Sequence, residues 1–330
     1  MVTHENLVRD AARLIVWYPM RWFVACLPLR SAVAFLRLVG RCHYRCSRSK
    51  RRTLVVNLRP LYAASSFKQP PERVVCGFFE NHYVSQLVVF LFPRLNRMSI
   101  GRIHAFQGLE RLDRELRSGK GCILVHPHLG PVHLPLFHLG AAGYPVKQLG
   151  YLRRPENLSR VGEAVAFRLR EHYERMIPAE ILQANQFLGE VFRHLRGGGV
   201  LLVTGDGAGR GEFVGRHALM SLLGEHMQFP LGPARLALKT GASLVPMFTV
   251  HTPGGRYTTI MEEPILSAAA PAAGAPPTEE AVTERFVHVF EAYLRQYPEL
   301  WHFWDEFAAG QLLVDPAVRS PHASHDGTTA

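Results

Sequence analysis

Four histidines lie close together in "CILVHPHLGPVHLPLFHLG", residues 122–140. They are His126, His128, His133 and His138, and they follow a short apolar run. Neutral imidazoles bind zinc well, and they also act as general bases near neutral pH. The pattern therefore leaves two kinds of site open, a metal centre and a catalytic base with an orienting partner.

The metal interpretation needs a nearby carboxylate, because zinc sites of this type usually include one. No Asp or Glu occurs in residues 121–155. The ligand set of a metal hydrolase would therefore draw its carboxylate from further along the chain and consist of His126, His128, His133 and Asp206.

The catalytic-base interpretation singles out His128. A hydroxyl that attacks as a nucleophile must lose its proton in the transition state, and imidazole suits that task. The base works best when a second side chain, usually a carboxylate, fixes its tautomer. Gly130 and Pro131 suit a tight turn into a helix, which places His133 in the first helical turn, facing back.

The elements around these residues predict an α/β fold with a central mixed sheet flanked by helices. Short apolar runs alternate with segments of helical periodicity, which is typical of this class. We predict strands at 99–108, 122–125, 144–152, 200–205, 243–250 and 256–263, and helices at 70–92, 109–121, 157–175, 180–196, 231–241 and 280–298.

Chemistry in such folds lies beyond the carboxyl ends of strands. Besides the histidines, Arg153 and Arg154 follow one predicted strand, and Asp206 follows another. Asp206 stands in "TGDGAG", where glycines let a backbone pack close to a ligand. The longer "GDGAGRG" lacks the Gly-Lys-Ser/Thr ending of a phosphate-binding loop.

Most of the net charge of +11 belongs to residues 1–60, which contain twelve basic and two acidic residues. The uncharged runs 14–20, 22–29 and 31–36 are each shorter than the about 20 residues of a spanning helix. We predict basic amphipathic helices that lie on an anionic membrane surface. The alternative is a helix pair docked on the domain. Nucleic acid is disfavoured, because the aromatic residues are grouped with aliphatic ones.

The predicted organisation has three parts. Residues 1–60 are membrane-associating helices, 61–308 a catalytic α/β domain and 309–330 a flexible tail. Five cysteines without paired spacing indicate reduced thiols in a cytosolic setting.

Several blocks of the chain carry a family resemblance. "GCILVHPHLGPVHLP" resembles the catalytic block of the bacterial lipid A biosynthesis acyltransferases of the lauroyl/myristoyl type, related to the glycerolipid acyltransferases with their H-x-x-x-x-[DE] motif. His128 and Gly130 match the His and Gly of that family. "YLRRPEN" places Arg153 at its arginine, and "GGGVLLVTGDGAGRGEFV" places Asp206 and Arg210 at matching positions. "FPLGPARLALKTGASLVPMF" and "EAYLRQYPELWHFW" extend the similarity over residues 10–307.

The resemblance implies a glycerolipid-acyltransferase-like fold and an enzyme that moves a fatty acyl chain from acyl carrier protein or coenzyme A to a hydroxyl of a lipid A-like lipid, glycolipid or phospholipid. His128 would be the general base, and the substrate-binding residues would be Arg153, Arg210, Gly130 and His126. No metal and no cofactor besides the acyl thioester is implied. The implied location is the cytoplasmic face of the bacterial inner membrane, as a peripheral or monotopic protein.

The chain departs from the family motif at His133, where the family has Glu or Asp. A neutral imidazole accepts a hydrogen bond but offers no full negative charge, and two protonated rings repel each other. Three interpretations stay open. His133 is a weaker orienting residue, or the carboxylate comes from elsewhere, with Asp206 the leading candidate, or the chain is a catalytically impaired lipid-binding homologue.

Overall fold

Buried apolar strands form a seven-stranded sheet with helices packed on both of its faces. The computed structural model describes residues 7–64, 67–150, 158–184, 188–207, 215–252, 255–270 and 274–314. Among these residues the strand order is β1-β9-β8-β2-β5-β3-β4, and a separate hairpin pairs β6 with β7. The strands are β1 (His104–Gln107), β2 (Cys122–His126), β3 (Val146–Gly150), β4 (Glu180–Gln183), β5 (Val200–Thr204), β6 (His217–Leu222), β7 (Glu225–Pro230), β8 (Ser243–Thr252) and β9 (Arg256–Met261).

The sheet is parallel except at one pair of strands, where β8 and β9 run antiparallel. β2 and β5 lie at its centre, and all five residues of β2 are buried. Such near-continuous apolar runs are typical of parallel strands covered on both faces. The predicted α/β class with a mixed sheet is confirmed, and His128 and Asp206 follow the two central strands.

Helices precede, connect and follow the strands. The α-helices are α1 (Leu7–Ile15), α2 (Arg21–Cys26), α3 (Leu29–Cys46), α4 (Arg48–Ala64), α5 (Pro71–Leu87), α6 (Leu109–Leu116), α7 (His133–Ala142), α8 (Arg168–Glu174), α9 (Gly189–Arg196), α10 (Gly232–Thr240), α11 (Glu279–Gln296) and α12 (Trp304–Ala308). Wider π-helical turns occupy Val16–Met20 and Gly162–Phe167. Pro28 separates α2 from α3, as its fixed φ and missing N–H predict, whereas Pro19 lies inside the first π-helical turn.

The N-terminal helices share a hydrophobic core with the rest of the molecule. Trp17, Val24 and Leu36 are buried together with Phe90 on the 3₁₀ continuation of α5 and Leu124 on β2. Within the described part of the chain, the one helical stretch long and apolar enough to cross a membrane is Pro71–Arg94. Because 72% of its most apolar window is buried inside the protein, it serves as a core helix here.

Two predicted elements differ from the structure, and one element of the structure was not predicted. The helix predicted over 180–196 begins only at Gly189, and Glu180–Gln183 is the edge strand β4, paired with β3. The strand predicted over 99–108 is confined to β1, after a 3₁₀ turn. The hairpin of β6 and β7 was not predicted. Its turn places Leu223 (φ 55°) and Gly224 (φ 84°) in left-handed conformations, and Gly224 was the only local signal of the turn.

Candidate active site

Close backbone contacts of Gly130 with Thr249 and Leu300 fix the turn that carries His128. Gly130 has a φ of 69°, and a Cβ at this position would clash with the carbonyl oxygen of Thr249 on β8. The Gly130 N–H donates to the carbonyl of Leu300 at 2.9 Å. Only glycine fits both this backbone conformation and this space, which explains the residue at that position.

His128 and Asp206 form a hydrogen-bonded pair at the carboxyl ends of β2 and β5. Nδ1 of His128 lies 2.8 Å from Oδ1 of Asp206, and the His128 backbone N–H donates to Oδ2 at 2.8 Å. The two strands are parallel neighbours with His126 opposite Thr204, so each side chain lies two residues beyond its strand. Because an ionised carboxylate only accepts, Nδ1 carries the ring proton and Nε2 keeps its lone pair.

Trp301 holds the second oxygen of the carboxylate. Its indole N–H donates to Oδ2 of Asp206 at 3.0 Å, and the whole residue is buried. The Asp206 side chain is 0% exposed, whereas that of His128 is 25% exposed. The pair thus combines a dry, fully bonded carboxylate with an imidazole that a ligand can reach.

The environment shifts the pKa values of the pair in opposite directions. Burial lowers the pKa of His128, but the charge of Asp206 and the hydrogen bond that it accepts outweigh burial and hold this pKa above its ordinary value. Burial raises the pKa of Asp206, but the charge of His128 and the hydrogen bonds to the carboxylate hold that pKa below its usual range. Asp206 is therefore ionised at neutral pH and stabilises a proton on His128.

His133 begins α7, in the predicted first helical turn. The polar side chains that lie near it, Glu174 and Arg170, belong to α8. Its Nε2 is 3.7 Å from Oε1 of Glu174, which is too long for a hydrogen bond. Nε of Arg170 bonds the same oxygen at 2.7 Å. Burial lowers the pKa of His133 to about 4, opposed in part by Glu174. Two residues were predicted as partners of His128. Asp206 is hydrogen-bonded to its Nδ1, whereas His133 lies beside Glu174.

The other two histidines of the cluster occupy different surroundings. His126 is buried at the end of β2, and burial lowers its pKa to about 4. Its Nε2 has no hydrogen-bond partner among the described residues. His138 lies on α7, with its Nδ1 2.9 Å from Nδ1 of His104 on β1. A role of His126 in substrate binding stays a prediction.

The segment after α11 supports the His128 turn from the far end of the chain. Leu129 and Trp301 form an antiparallel bridge, and the His302 N–H donates to the carbonyl of His128 at 2.9 Å. The ring of Phe303 lies 4.7 Å from that of His128, centroid to centroid. Sequence reasoning assigned no site residue here, and its one signal was the family-like block "PELWHFW".

Polar residues on α5 fix this C-terminal segment in turn. Nδ2 of Asn81 donates to the carbonyl of Leu300 at 2.7 Å, and Oγ of Ser85 lies 3.0 Å from Nε2 of His302. Burial lowers the pKa of His302 to about 3. This neighbour of His128 is therefore neutral and does not compete for the charge of Asp206. No pattern in the sequence singled out Asn81 or Ser85.

An apolar cavity of about 410 Å³ lies at the ends of β3 and β5. Gly207, the residue after Asp206, forms part of its wall. The apolar lining includes Leu149, Leu188, Phe192, Val203, Leu231 and Leu236. Arg216, Arg235 and Lys239 also line it. Glu279 pairs with both arginines, so it partly neutralises the positive charge beside the apolar walls.

Two predicted binding residues, Arg153 and Arg210, lie outside the described residues, as does Arg154. Their roles stay predictions. For the metal alternative, the described residues contain no group of three or more His, Cys, Asp or Glu side chains that could hold a metal ion.

The structure thus combines a mixed α/β sheet, a His–Asp pair beyond its two central strands and an apolar cavity at the ends of β3 and β5. The family profile described as "Bacterial lipid A biosynthesis acyltransferase" matches residues 7–306. The chain therefore belongs to the bacterial lipid A biosynthesis acyltransferase family and is an acyltransferase. No curated protein matches the chain.

Proposed function

We propose that this acyltransferase moves a fatty acyl chain from a thioester, on acyl carrier protein or coenzyme A, to a hydroxyl of a lipid A-like lipid, glycolipid or phospholipid. The observation that carries the proposal is the His128–Asp206 pair, with Nδ1 to Oδ1 at 2.8 Å. It supplies both a base and the carboxylate that the motif lacks at His133.

The proton moves through Nε2 of His128. As the acceptor oxygen attacks the thioester carbonyl carbon, Nε2 takes the hydroxyl proton, and Asp206 stabilises the imidazolium through Nδ1–H. When the tetrahedral intermediate collapses, the C–S bond breaks and the imidazolium returns the proton to the leaving thiolate. The exposed face of His128 and the dry carboxylate of Asp206 support this assignment.

The apolar cavity is the proposed site of the fatty acyl chain. Its wall includes Gly207, the residue after Asp206, and its volume of about 410 Å³ falls within the range of ligand pockets. Arg216 at this cavity would meet the polar end of the donor. Arg153 and Arg210, at the positions of the family's arginines, are proposed to bind phosphate or headgroup, because guanidinium offers paired donors to such groups.

The N-terminal helices are the proposed contact with the membrane. Seven of the large apolar side chains that are exposed in the described residues lie on α1, α2 and the turn between them: Leu7, Val8, Leu14, Ile15, Tyr18, Trp22 and Phe23. Basic residues accompany them in the sequence. This combination is typical of helices that lie in the headgroup plane, and it supports a peripheral or monotopic enzyme. We propose the cytoplasmic face of the inner membrane as its location.

The test compares His128→Ala with the parent enzyme in a membrane assay, using acyl carrier protein and coenzyme A thioesters as alternative donors. We expect acyl transfer to fall by on the order of 10²–10⁴. His226→Ala, at an exposed position on β7, is the matched control and should transfer like the parent. Lipid mass spectrometry of cells with and without the gene identifies the acceptor. Full activity of His128→Ala would contradict the mechanism.

A further inference from the structure

A second cavity, of about 370 Å³, lies on α3 and is lined by arginines. Its lining includes Arg30, Ser31, Arg37, Arg41 and Gly255. The three arginines are spaced by seven and four residues, so they share one face of the helix. None of them belongs to the His128 site or to the apolar cavity.

A buried carboxylate orients two of these arginines. Glu80 on α5 is 7% exposed. Nε of Arg37 donates to its Oε2 at 2.8 Å, and Nε of Arg41 donates to its Oε1 at 2.5 Å. Arg37 has no other hydrogen bond among the described residues, and Arg41 adds only a long one through Nη2, at 3.5 Å. Most of their terminal Nη donors are therefore free for a ligand.

Arg30 is held differently. Its Nε donates to the carbonyl of Arg102 at 3.1 Å, and its terminal donors have no partner in the described part of the chain. Three guanidinium groups with one carboxylate leave the cavity positively charged. Preoriented guanidinium groups with free Nη donors match the paired oxygens of phosphate, so the cavity fits a phosphate group.

Gly255, which lines the cavity, lies at the same edge of the sheet as His128. Gly255 precedes β9, which is antiparallel to β8, and Thr249 of β8 packs against Gly130. Thr259 lies opposite Thr249. At about 3.4 Å per residue, Gly255 is roughly 15 Å from the Gly130 turn. A phosphate bound there would be separated from a hydroxyl at His128 by the length of an extended headgroup.

Exposed apolar residues on α2 and α3, the helix that carries the three arginines, favour a lipid over a soluble anion. Trp22 and Phe23 on α2 are 59% and 51% exposed, and Leu38, which follows Arg37, is 50% exposed. We infer that Arg30, Arg37 and Arg41 bind a phosphate on the headgroup of the lipid acceptor and so help to position its hydroxyl at His128. This inference rests on the proposed function for the identity of the ligand as acceptor.

The first test measures KM for a phosphorylated glycolipid acceptor and for the same lipid after enzymatic dephosphorylation. Arg30→Gln leaves Glu80 and its partners intact, and Arg37→Lys keeps the charge but removes the paired donors. We expect each variant to raise KM about tenfold for the phosphorylated lipid only. Arg285→Gln, exposed on α11, is the control and should match the parent.

A second test uses full-length His128→Ala protein, with and without Arg30→Gln, so that binding is read without turnover. In flotation with phosphatidylcholine vesicles that contain the phosphorylated lipid, Arg30→Gln should lower the affinity of the protein for the vesicles about tenfold. With vesicles that contain the dephosphorylated lipid, the proteins with and without Arg30→Gln should bind equally well. If no protein transfers acyl chains but flotation still discriminates, the proposed function fails and the phosphate site stands.

Three results would overturn the inference. In the first, Arg30→Gln raises KM equally for both acceptors. In the second, it weakens inhibition by inorganic phosphate without changing acceptor KM, which would make the cavity a site for free phosphate. In the third, it raises KM only for the acyl carrier protein donor and not for acyl coenzyme A, which would make the arginine face a docking surface for that acidic protein.

Discussion

His128 and His133 stand at the two ends of one six-residue turn, yet their surroundings are opposite. His128 is partly exposed and bonded to a buried carboxylate, and its pKa is raised. His133 has a buried Nδ1 without a partner among the described residues and a pKa lowered to about 4. Within the described ranges, the carboxylate beside His133 is that of Glu174, which is bonded to Arg170 and lies 3.7 Å from Nε2 of His133.

This difference shows that spacing along the chain does not decide which residues form a pair. Asp206 is 78 positions from His128 in the sequence, but parallel pairing of β2 and β5 brings the ends of the two strands together. The carboxylate absent from the motif is supplied across the sheet. The absence of an acid at position 133 is therefore compatible with the proposed catalytic role of the His128–Asp206 pair.

The largest expected effect comes from Asp206→Asn. We expect acyl transfer to fall by on the order of 10²–10⁴, because the imidazolium loses its counter-charge and the tautomer is no longer fixed. His128 acts when neutral, so in the parent its raised pKa puts the rise of kcat/KM above pH 6.5. Without the carboxylate, burial dominates and the rise should move to lower pH. The profile of kcat/KM against pH measures both effects.

Glu174→Gln is the matched control for that experiment. It removes the carboxylate beside His133 and leaves the His128–Asp206 bond in place. Its rate and pH profile should stay near those of the parent. If Glu174→Gln lost activity as strongly as Asp206→Asn, the two regions would act as one catalytic unit and the comparison would fail.

The next effect concerns stability at acidic pH. An unfolded histidine titrates near 6.5, whereas buried His133 titrates at about 4. As the pH falls below 6.5, the unfolded chain binds a proton that the folded protein does not, and stability is lost until about pH 4. Between pH 7.5 and pH 5, the free energy of unfolding of His133→Leu should therefore fall by about 2 kcal/mol less than that of the parent. Urea unfolding at the two pH values checks this, and equal losses in both proteins would contradict it.

Much of the site's framework could be predicted from the sequence. The runs "CILV" and "VLLVTG" are apolar throughout, as buried parallel strands require, and chemistry beyond their ends was the natural expectation. His128 and Asp206 were named on that basis, and Gly130 was named for the turn that follows His128. Choosing Asp206 over His133 was not possible, because the pairing register of β2 and β5 and the side-chain directions are tertiary properties.

Other parts left no local signal. Trp301, Asn81 and Ser85 reach the site through contacts between residues far apart in the chain, and nothing in their own segments marks them as polar partners. Glu180–Gln183 was predicted to be helical because it preceded a helical pattern, and only pairing with β3 makes it a strand. Long-range packing decided each of these cases.

A smaller effect is expected from Trp301→Phe. The variant keeps an aromatic ring but removes the hydrogen bond to Oδ2 of Asp206. Losing one charge-assisted donor should lower kcat/KM about tenfold. Trp304→Phe is the control, since its indole donates to the carbonyl of Pro298 and not to Asp206. If both variants lose similar stability but only Trp301→Phe loses rate, the indole N–H of Trp301 acts through the carboxylate of Asp206.

The smallest effect is expected from His133→Glu, which restores the family motif. Since Asp206 already occupies Nδ1 of His128, a second carboxylate has no vacant place on the ring. It would instead face Glu174, and two like charges in a buried site repel each other. We expect kcat/KM to stay unchanged or fall a few-fold. His133→Gln is the neutral comparison. In the double variant His133→Glu/Glu174→Gln, the second negative charge is removed and the repulsion should be relieved. An acceleration by His133→Glu would mean that the motif position reaches His128 during turnover, and that Asp206 alone does not complete the base.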